Sequence, residues 1–388
     1  MASDKAERDR KLRVVEILEA TVGGTRRQVE QIFTSLNAPR IRFGYVYSAE
    51  RDRGYRHEVN RFQEFGIVCH EVPMLRSVSP LRDLKALCEI TSILRSAHCD
   101  IVHTHSSKAG LLGRVAAWLV GVPRVYYTPH VYYFPSRSGL SRWFFTLLEW
   151  AAGRLTTQTI CLSEGQRRRA VRSGVVRPGR VVVVENGVDV DHFGELPPKD
   201  EARRALGLKP DAPTVAMVAR LSARKGADRF AQAAPKIVKR NPGVQFAVAG
   251  EGDMRPEVER LIAELGLQDR FHLLGYVEDP RLVYGAADVC VLTSRHEGLP
   301  YALLEAMAAR LPLVATDVPG NRDAIRDGEM GFLVTFGDDD AFAERVCRLL
   351  ADSDLRARMG AAGRLAAETR FCLKRFAERM ERVFIDGT

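Results

Sequence analysis

Residues 294–309 read SRHEGLPYALLEAMAA, and the rest of the chain is organised around them. The apolar run 287–292 before them reads as a short buried strand. A loop carrying His296, Glu297, Gly298 and Leu299 follows. Pro300 then stands where a helix begins, a position at which proline is favoured. The helix expected over 300–310 has Leu303, Leu304 and Met307 on its apolar side. Glu297 lies in the loop, and Glu305 lies about a turn and a half into the helix. N–H groups at a helix start lack partners within the helix and can bind oxygen atoms of a ligand. A carboxylate beside such donors can hold sugar hydroxyls, and a second, deeper one can hold a ribose.

The totals bound the class. A length of 388 residues fits two domains of ordinary size. With 46% hydrophobic and 28% charged residues the chain is globular. The seven cysteines include no C-x-x-C pair, which suits reduced thiols in a cytoplasmic protein. The opening MASDKAERDRK is charged and lacks the apolar centre of a signal peptide. No apolar run approaches bilayer length. The net charge of +9 suits anionic partners such as nucleotide diphosphates or an anionic membrane surface. No zinc finger, RRM signature or basic zipper is present, so nucleic acid is not an expected partner.

The first half opens with a strand over 12–20, the turn TVGGTRR over 21–27, and a helix. Gly23 and Gly24 leave the backbone open to close approach by a ligand. Arg26 adds charge there, either toward a ligand or simply to solvent; Arg27 reads as solvated. In DIVHTHSS, residues 100–107, His103 and His105 share one face of a strand. With no third ligand nearby in the sequence, they read as polar strand-end residues better than as a metal pair. The strand of RVYYTPHV, residues 124–131, ends near His130. The stretch 132–154 crowds Trp143, Phe144, Phe145, Leu147, Leu148 and Trp150 between Arg137, Arg142 and Arg154. It suits a membrane interface or a lipid-linked acceptor; a core-packed helix, with Trp143 and Trp150 on one side, is the plainer reading. Residues 194–199, with Pro197 and Pro198, read as a stiff linker.

The second half restarts the pattern with the strand of TVAMVARLS, residues 214–222, which places Arg220 at its end and Lys225 five residues on. QFAVAGEGDM, residues 245–254, supplies Gly-x-Gly, but Arg255 occupies the third glycine position of a dinucleotide fingerprint, which disfavours NAD. Asp338, Asp339 and Asp340 precede a helix and read as a cap rather than a metal site.

Glu297 and Glu305, set in HEGLPYALLEAMA, resemble the signature of the retaining glycosyltransferases of family 4. HTHSSKAGLLGRVAAWLVGVPRV, residues 103–125, is similar to polysaccharide-assembly members of that family. The resemblance spans nearly the whole chain and implies a GT-B fold: two doubly wound Rossmann-like α/β domains facing across a cleft. The acceptor-side domain would be 1–193, with a crossover helix at 373–388 returning to it, and the donor domain 200–372. By that resemblance Arg220 and Lys225 hold the donor diphosphate, and Glu297 with Gly298, Leu299 and Pro300 holds the donor sugar. Glu305 holds the ribose, Val277 in a G-Y-V turn meets the nucleobase, Gly23 and Gly24 sit against the donor phosphates or the acceptor, and Arg26 faces the acceptor. His130 matches the histidine near the anomeric centre, although Val131 stands where the family usually has glycine. Ala219, likewise, replaces the more usual glycine before Arg220.

The implied reaction is a same-face displacement from a nucleotide-sugar donor, UDP by family frequency, to a saccharide or lipid-linked acceptor. It needs no cofactor and no metal, and implies a cytoplasmic enzyme that includes the inner membrane face among its places of action. A hydrolase with two carboxylates about 5 Å apart finds no suitable second carboxylate. Two other readings stay open: a sugar-nucleotide epimerase of the same fold, which would form product without an acceptor, and a non-enzymatic basic anion-binding protein, which would bind with strong salt dependence.

Overall fold

The computed structural model of the chain describes residues 11–36, 40–132 and 139–387. They form two compact units. One runs to Asn186 and takes in the chain again from Lys374; the other is Gly187–Leu373.

The first unit is built on a parallel sheet of β1 (Leu12–Leu18), β2 (Ile41–Tyr47), β3 (Val68–Glu71), β4 (Ile101–His105), β5 (Arg124–Thr128), β6 (Gln158–Cys161) and β7 (Val181–Val183), in the order β3-β2-β1-β4-β5-β6-β7. The second has β8 (Thr214–Val218), β9 (Gln245–Ala249), β10 (Phe271–Gly275), β11 (Val289–Leu292), β12 (Leu313–Thr316) and β13 (Gly331–Val334), in the order β10-β9-β8-β11-β12-β13. Helices cover both faces, so central strands are apolar runs and not alternating ones. Val14, Ile17 and Leu18 on β1, and Val215, Ala216 and Met217 on β8, are all inaccessible to solvent. In each sheet the winding direction reverses beside the first strand, between β1 and β4 and between β8 and β11. Ligands of doubly wound sheets bind at such reversals, beyond the carboxyl ends of the strands.

Residues 373–386 form a helix, Leu373–Asp386, that completes the first unit, as the crossover expectation required. Its Phe376, Met380, Val383 and Phe384 are buried among Tyr45, Ile101, Tyr126 and Ile160. The Tyr126 hydroxyl donates to Val383 O at 3.0 Å, and Arg124 Nη1 donates to Phe384 O at 2.6 Å. Each buried aromatic contributes roughly 1.5–3 kcal/mol.

Several expectations shift. The units divide at Asn186, ahead of the proline pair, because the chain after the N-G-V-D turn already packs on the second unit. There Phe193 is buried with its ring 5.8 Å from Tyr284, and Pro197 lies against Gly285. The helix expected over 300–310 is shorter, Tyr301–Ala308, with Pro300 extended as its cap residue. Most consequential is the helix Gly139–Arg154. Trp143 and Trp150, expected on a core-packed side in the plainer reading, are 65% and 41% exposed. Leu140, Phe144 and Leu147 are exposed with them, at helical spacing. Arg137 lies outside the described residues, as do residues 1–10. Among the described residues no helix is long and apolar enough to cross a membrane, and all seven cysteines are free.

Candidate functional site

In the second unit the loops after β8 and β11 lie beside the reversal point and are laced together. Arg295 N donates to Arg224 O at 2.8 Å, Arg295 Nε donates to Ala223 O at 3.0 Å, and the Thr293 hydroxyl donates to Gly226 O at 2.6 Å. The fit requires glycine at 226, where φ is +73° and a Cβ would stand 2.1 Å from Thr293 O. This lacing sets Lys225 Nζ 2.6 Å from Glu297 Oε1, with both side chains largely shielded from water. Burial alone would raise the Glu297 carboxyl, but Lys225, with Arg224 behind it, overrides this and holds it below the usual carboxylate range. Arg220, at the end of β8, is exposed, and among the described residues it has no ion-pair partner. A paired cation and its buried carboxylate thus stand at these strand ends, with the exposed Arg220 on the loop that leads to Lys225.

The helix after Glu297 enters under Gly298, Leu299 and Pro300, all buried. Gly320 makes room for them, since a Cβ there would stand 2.4 Å from Gly298 O. Glu305 is buried within the helix, and its Oε2 accepts from the Tyr284 hydroxyl at 2.5 Å.

In the first unit the reversal point carries a buried polar cluster. Glu16 on β1 stands opposite His103 on β4 in register. All three of Glu16, His103 and His105 are inaccessible to solvent. Glu16 Oε2 lies 2.6 Å from His105 Nε2 and 2.9 Å from His103 Nδ1. His103 Nε2 meets the Thr128 hydroxyl at 2.8 Å, and His105 Nδ1 meets His130 Nε2 at 3.1 Å. Burial would raise the Glu16 carboxyl, yet His103 and His105 bring it down to about 2. Burial pushes His105 down to about 4, and burial with the neighbouring rings takes His130 well below the ordinary imidazole range. The histidine pair therefore has the third partner that its sequence neighbourhood lacks. These three residues put metal-type donor atoms within 4.8 Å of one another. Ligands 2.0–2.2 Å from one tetrahedral ion stand about 3.3 Å apart. The 2.6 Å contact is a direct hydrogen bond, so an ion would have to open the cluster.

The family model for glycosyl transferases group 1 matches residues 198–366, and that for glycosyltransferase family 4 matches residues 22–192. A UDP-Gal:α-D-GlcNAc-diphosphoundecaprenol α-1,3-galactosyltransferase of Escherichia coli is 35% identical over 290 residues, 73% of this chain and 75% of the relative. This chain is a family 4 glycosyltransferase. The capsular polysaccharide biosynthesis glycosyltransferase CapM of Staphylococcus aureus is 27% identical, over 82% of this chain and 84% of its own. Among solved structures, Anabaena HepE in complex with UDP and glucose superposes with a TM-score of 0.83 at 19% identity, over 97% of this chain and all of HepE. A Rickettsia africae glycosyltransferase superposes with a TM-score of 0.78 at 20% identity, over 97% and 98% of the two chains. The fold of the family 4 glycosyltransferase is accordingly GT-B.

Of the residues singled out in the sequence of this glycosyltransferase, Lys225 and Glu297 are brought into contact, with Arg220 on the same loop as Lys225. Gly23 precedes the helix Gly24–Ser35 and Gly24 is its first residue, so the helix begins inside the stretch 21–27 that was expected to be turn. Val277, half-buried, follows the end of β10. Arg26 departs from expectation: its guanidinium engages Glu30 at 2.9 Å, Asp52 at 3.6 Å and also Glu58. Three carboxylates surround the one cation, so its charge is already paired within the protein and does not face solvent alone. Asp338 accepts from Ala341 N at 2.9 Å and so caps the helix Asp339–Ala351, as expected. The residues missed are Glu16 and Gln166, the latter donating to His130 O at 2.9 Å. The available signal was a glutamate in the middle of a central buried strand, a place where a charge is seldom left without partners.

Proposed function

We propose that this glycosyltransferase moves a sugar from a nucleotide diphosphate donor, UDP first, to a hydroxyl of a saccharide or lipid-linked saccharide, with retention and without a metal. The observation that carries the reading is the Lys225–Glu297 pair with unpartnered Arg220 at the reversal point of the second sheet. Arg220 and Lys225 face the diphosphate, whose negative charge grows as the glycosidic bond breaks, so they favour the transition state over the ground state. Glu297 accepts from donor-sugar hydroxyls, with Gly298, Leu299 and Pro300 shaping the site around it. Glu305 takes the ribose, Val277 lies toward the base, Gly23 and Gly24 lie against phosphate, and His130 contacts the sugar. The leaving phosphate oxygen accepts the acceptor's proton. The E. coli relative named for a diphosphoundecaprenol substrate, and CapM, support a cell-envelope acceptor. The exposed apolar side of Gly139–Arg154, with the Arg154 guanidinium 3.9 Å over the Trp150 ring, supports peripheral contact with an anionic membrane.

The test is calorimetric titration with UDP, GDP and ADP, then turnover of UDP-sugars with membrane extract as acceptor. UDP-selective binding and acceptor-dependent transfer are expected. Glu297→Ala should lower turnover at least about a hundredfold. Product formed without acceptor would replace transfer by epimerisation. Salt-sensitive binding with no preference among nucleotides would leave an anion-binding protein.

A further inference from the structure

The Glu16 cluster holds more than a buried salt bridge. An ionised carboxylate only accepts hydrogen bonds. Both rings that touch Glu16 must therefore donate to it, His103 from Nδ1 and His105 from Nε2. A neutral imidazole has one N–H, and His105 spends its own on Glu16, leaving Nδ1 as an acceptor. The 3.1 Å contact between His105 Nδ1 and His130 Nε2 is then attractive only if His130 is the donor. His130 in turn is left with a bare lone pair on Nδ1. Its backbone is fixed as firmly as its ring. Its φ of +54° is a left-handed conformation rare for a non-glycine residue. Gln166 holds the carbonyl at 2.9 Å, and Gln166 is itself bonded to Leu162 N at 2.7 Å and Ser163 Oγ at 3.2 Å. Strain of this kind persists only where the surroundings over-determine it.

We propose that Glu16 and His105 are positioning residues for His130: the carboxylate fixes the His105 proton on Nε2, His105 draws the His130 proton to Nε2, and His130 presents Nδ1 as an acceptor to a substrate hydroxyl. The polarity of the chain is set at its buried end, where no water competes. His103 and Thr128 close the other side of Glu16 and lie off the path to His130. The kinetic part of the proposal rests on the transfer reading; the tautomer part does not.

The experiment is nitrogen NMR of imidazole-labelled full-length protein, the rings assigned by single His→Gln changes, alongside kinetics of two variants. In the wild type, His105 and His130 should each carry the proton on Nε2. Glu16→Gln keeps the shape but offers an amide that can donate, so His130 should become a tautomer mixture or invert. Its kcat should fall roughly 10- to 100-fold, the scale for partners that orient a functional imidazole, with the donor KM within about twofold. Thr128→Val, which cuts the His103 end alone, should leave the His130 tautomer and kcat as in the wild type. A wild-type His130 proton on Nδ1 overturns the proposal even if Glu16→Gln does not fold. So does an unchanged His130 tautomer or an unchanged kcat in Glu16→Gln, or equal disturbance by Thr128→Val. Stoichiometric metal in the wild type that is lost from Glu16→Gln would overturn it too, making Glu16 a ligand. If the wild type transfers no sugar yet shows the stated tautomers, the transfer reading fails and the proton ordering stands.

Discussion

Lys225 and Glu297 are each other's solvent. Removing one leaves the other shielded and unpaired, a situation costing several kcal/mol unless the group gives up its charge. For Glu297 the sign follows from its partner. In the intact pair the carboxyl titrates below the usual range, so its ionised form is lost only at low pH, and with it, on the role proposed for Glu297, activity. In Lys225→Met the nearest cation is gone and only the more distant Arg224 still opposes burial, so the carboxyl titrates higher. The acid limb of kcat/KM against pH should therefore move to higher pH in Lys225→Met, in addition to an overall loss of at least about a hundredfold. A pH–rate profile of the variant checks this; an acid limb in the wild-type place would assign that limb to another group. Both residues were singled out because each follows an apolar strand-like run within a stretch that resembles the family, although their contact, 72 residues apart, comes only from the pairing of β8 with β11. Glu16 was not. It lies 87 residues from His103, and only the pairing of β1 with β4 makes them neighbours.

Among the elements, the strands were the easiest to read, because strands covered on both faces are uninterrupted apolar runs. Helix Gly139–Arg154 was harder for a physical reason. Apolar residues at helical spacing mark a face that avoids water, but the pattern is the same whether protein or lipid covers it. The structure turns Glu149 inward, where it accepts from Arg114 at 3.0 Å and from the Tyr127 hydroxyl at 3.2 Å, and leaves Trp143, Phe144 and Leu147 outside. Trp143→Ser with Phe144→Ser should reduce co-sedimentation with anionic phospholipid vesicles by roughly tenfold or more, on the scale of losing two buried aromatics. Turnover on a water-soluble acceptor should stay within about twofold, because these side chains touch none of the strand-end groups. Unaltered sedimentation would remove the membrane from this face.

Across the whole molecule, the first unit depends on a segment distant in sequence. Phe384 is fully buried, stacked on Tyr126 with ring centres 6.0 Å apart and edge-on to His103 at 5.7 Å. Phe384→Ala should cost about 3–5 kcal/mol, confined to the transition of the first unit in a urea titration followed by unit-specific probes. Equal destabilisation of both transitions would mean that the units unfold as one.

That dependence reaches back to synthesis. Gly187–Leu373 is contiguous and can close its own apolar interior as a nascent segment emerges from the ribosome. The opening sheet cannot, since its last layer is translated only after the whole of Gly187–Leu373. At about 5–20 residues per second the wait is on the order of tens of seconds, during which the surface around Tyr126 stands bare and is the natural grip for a chaperone.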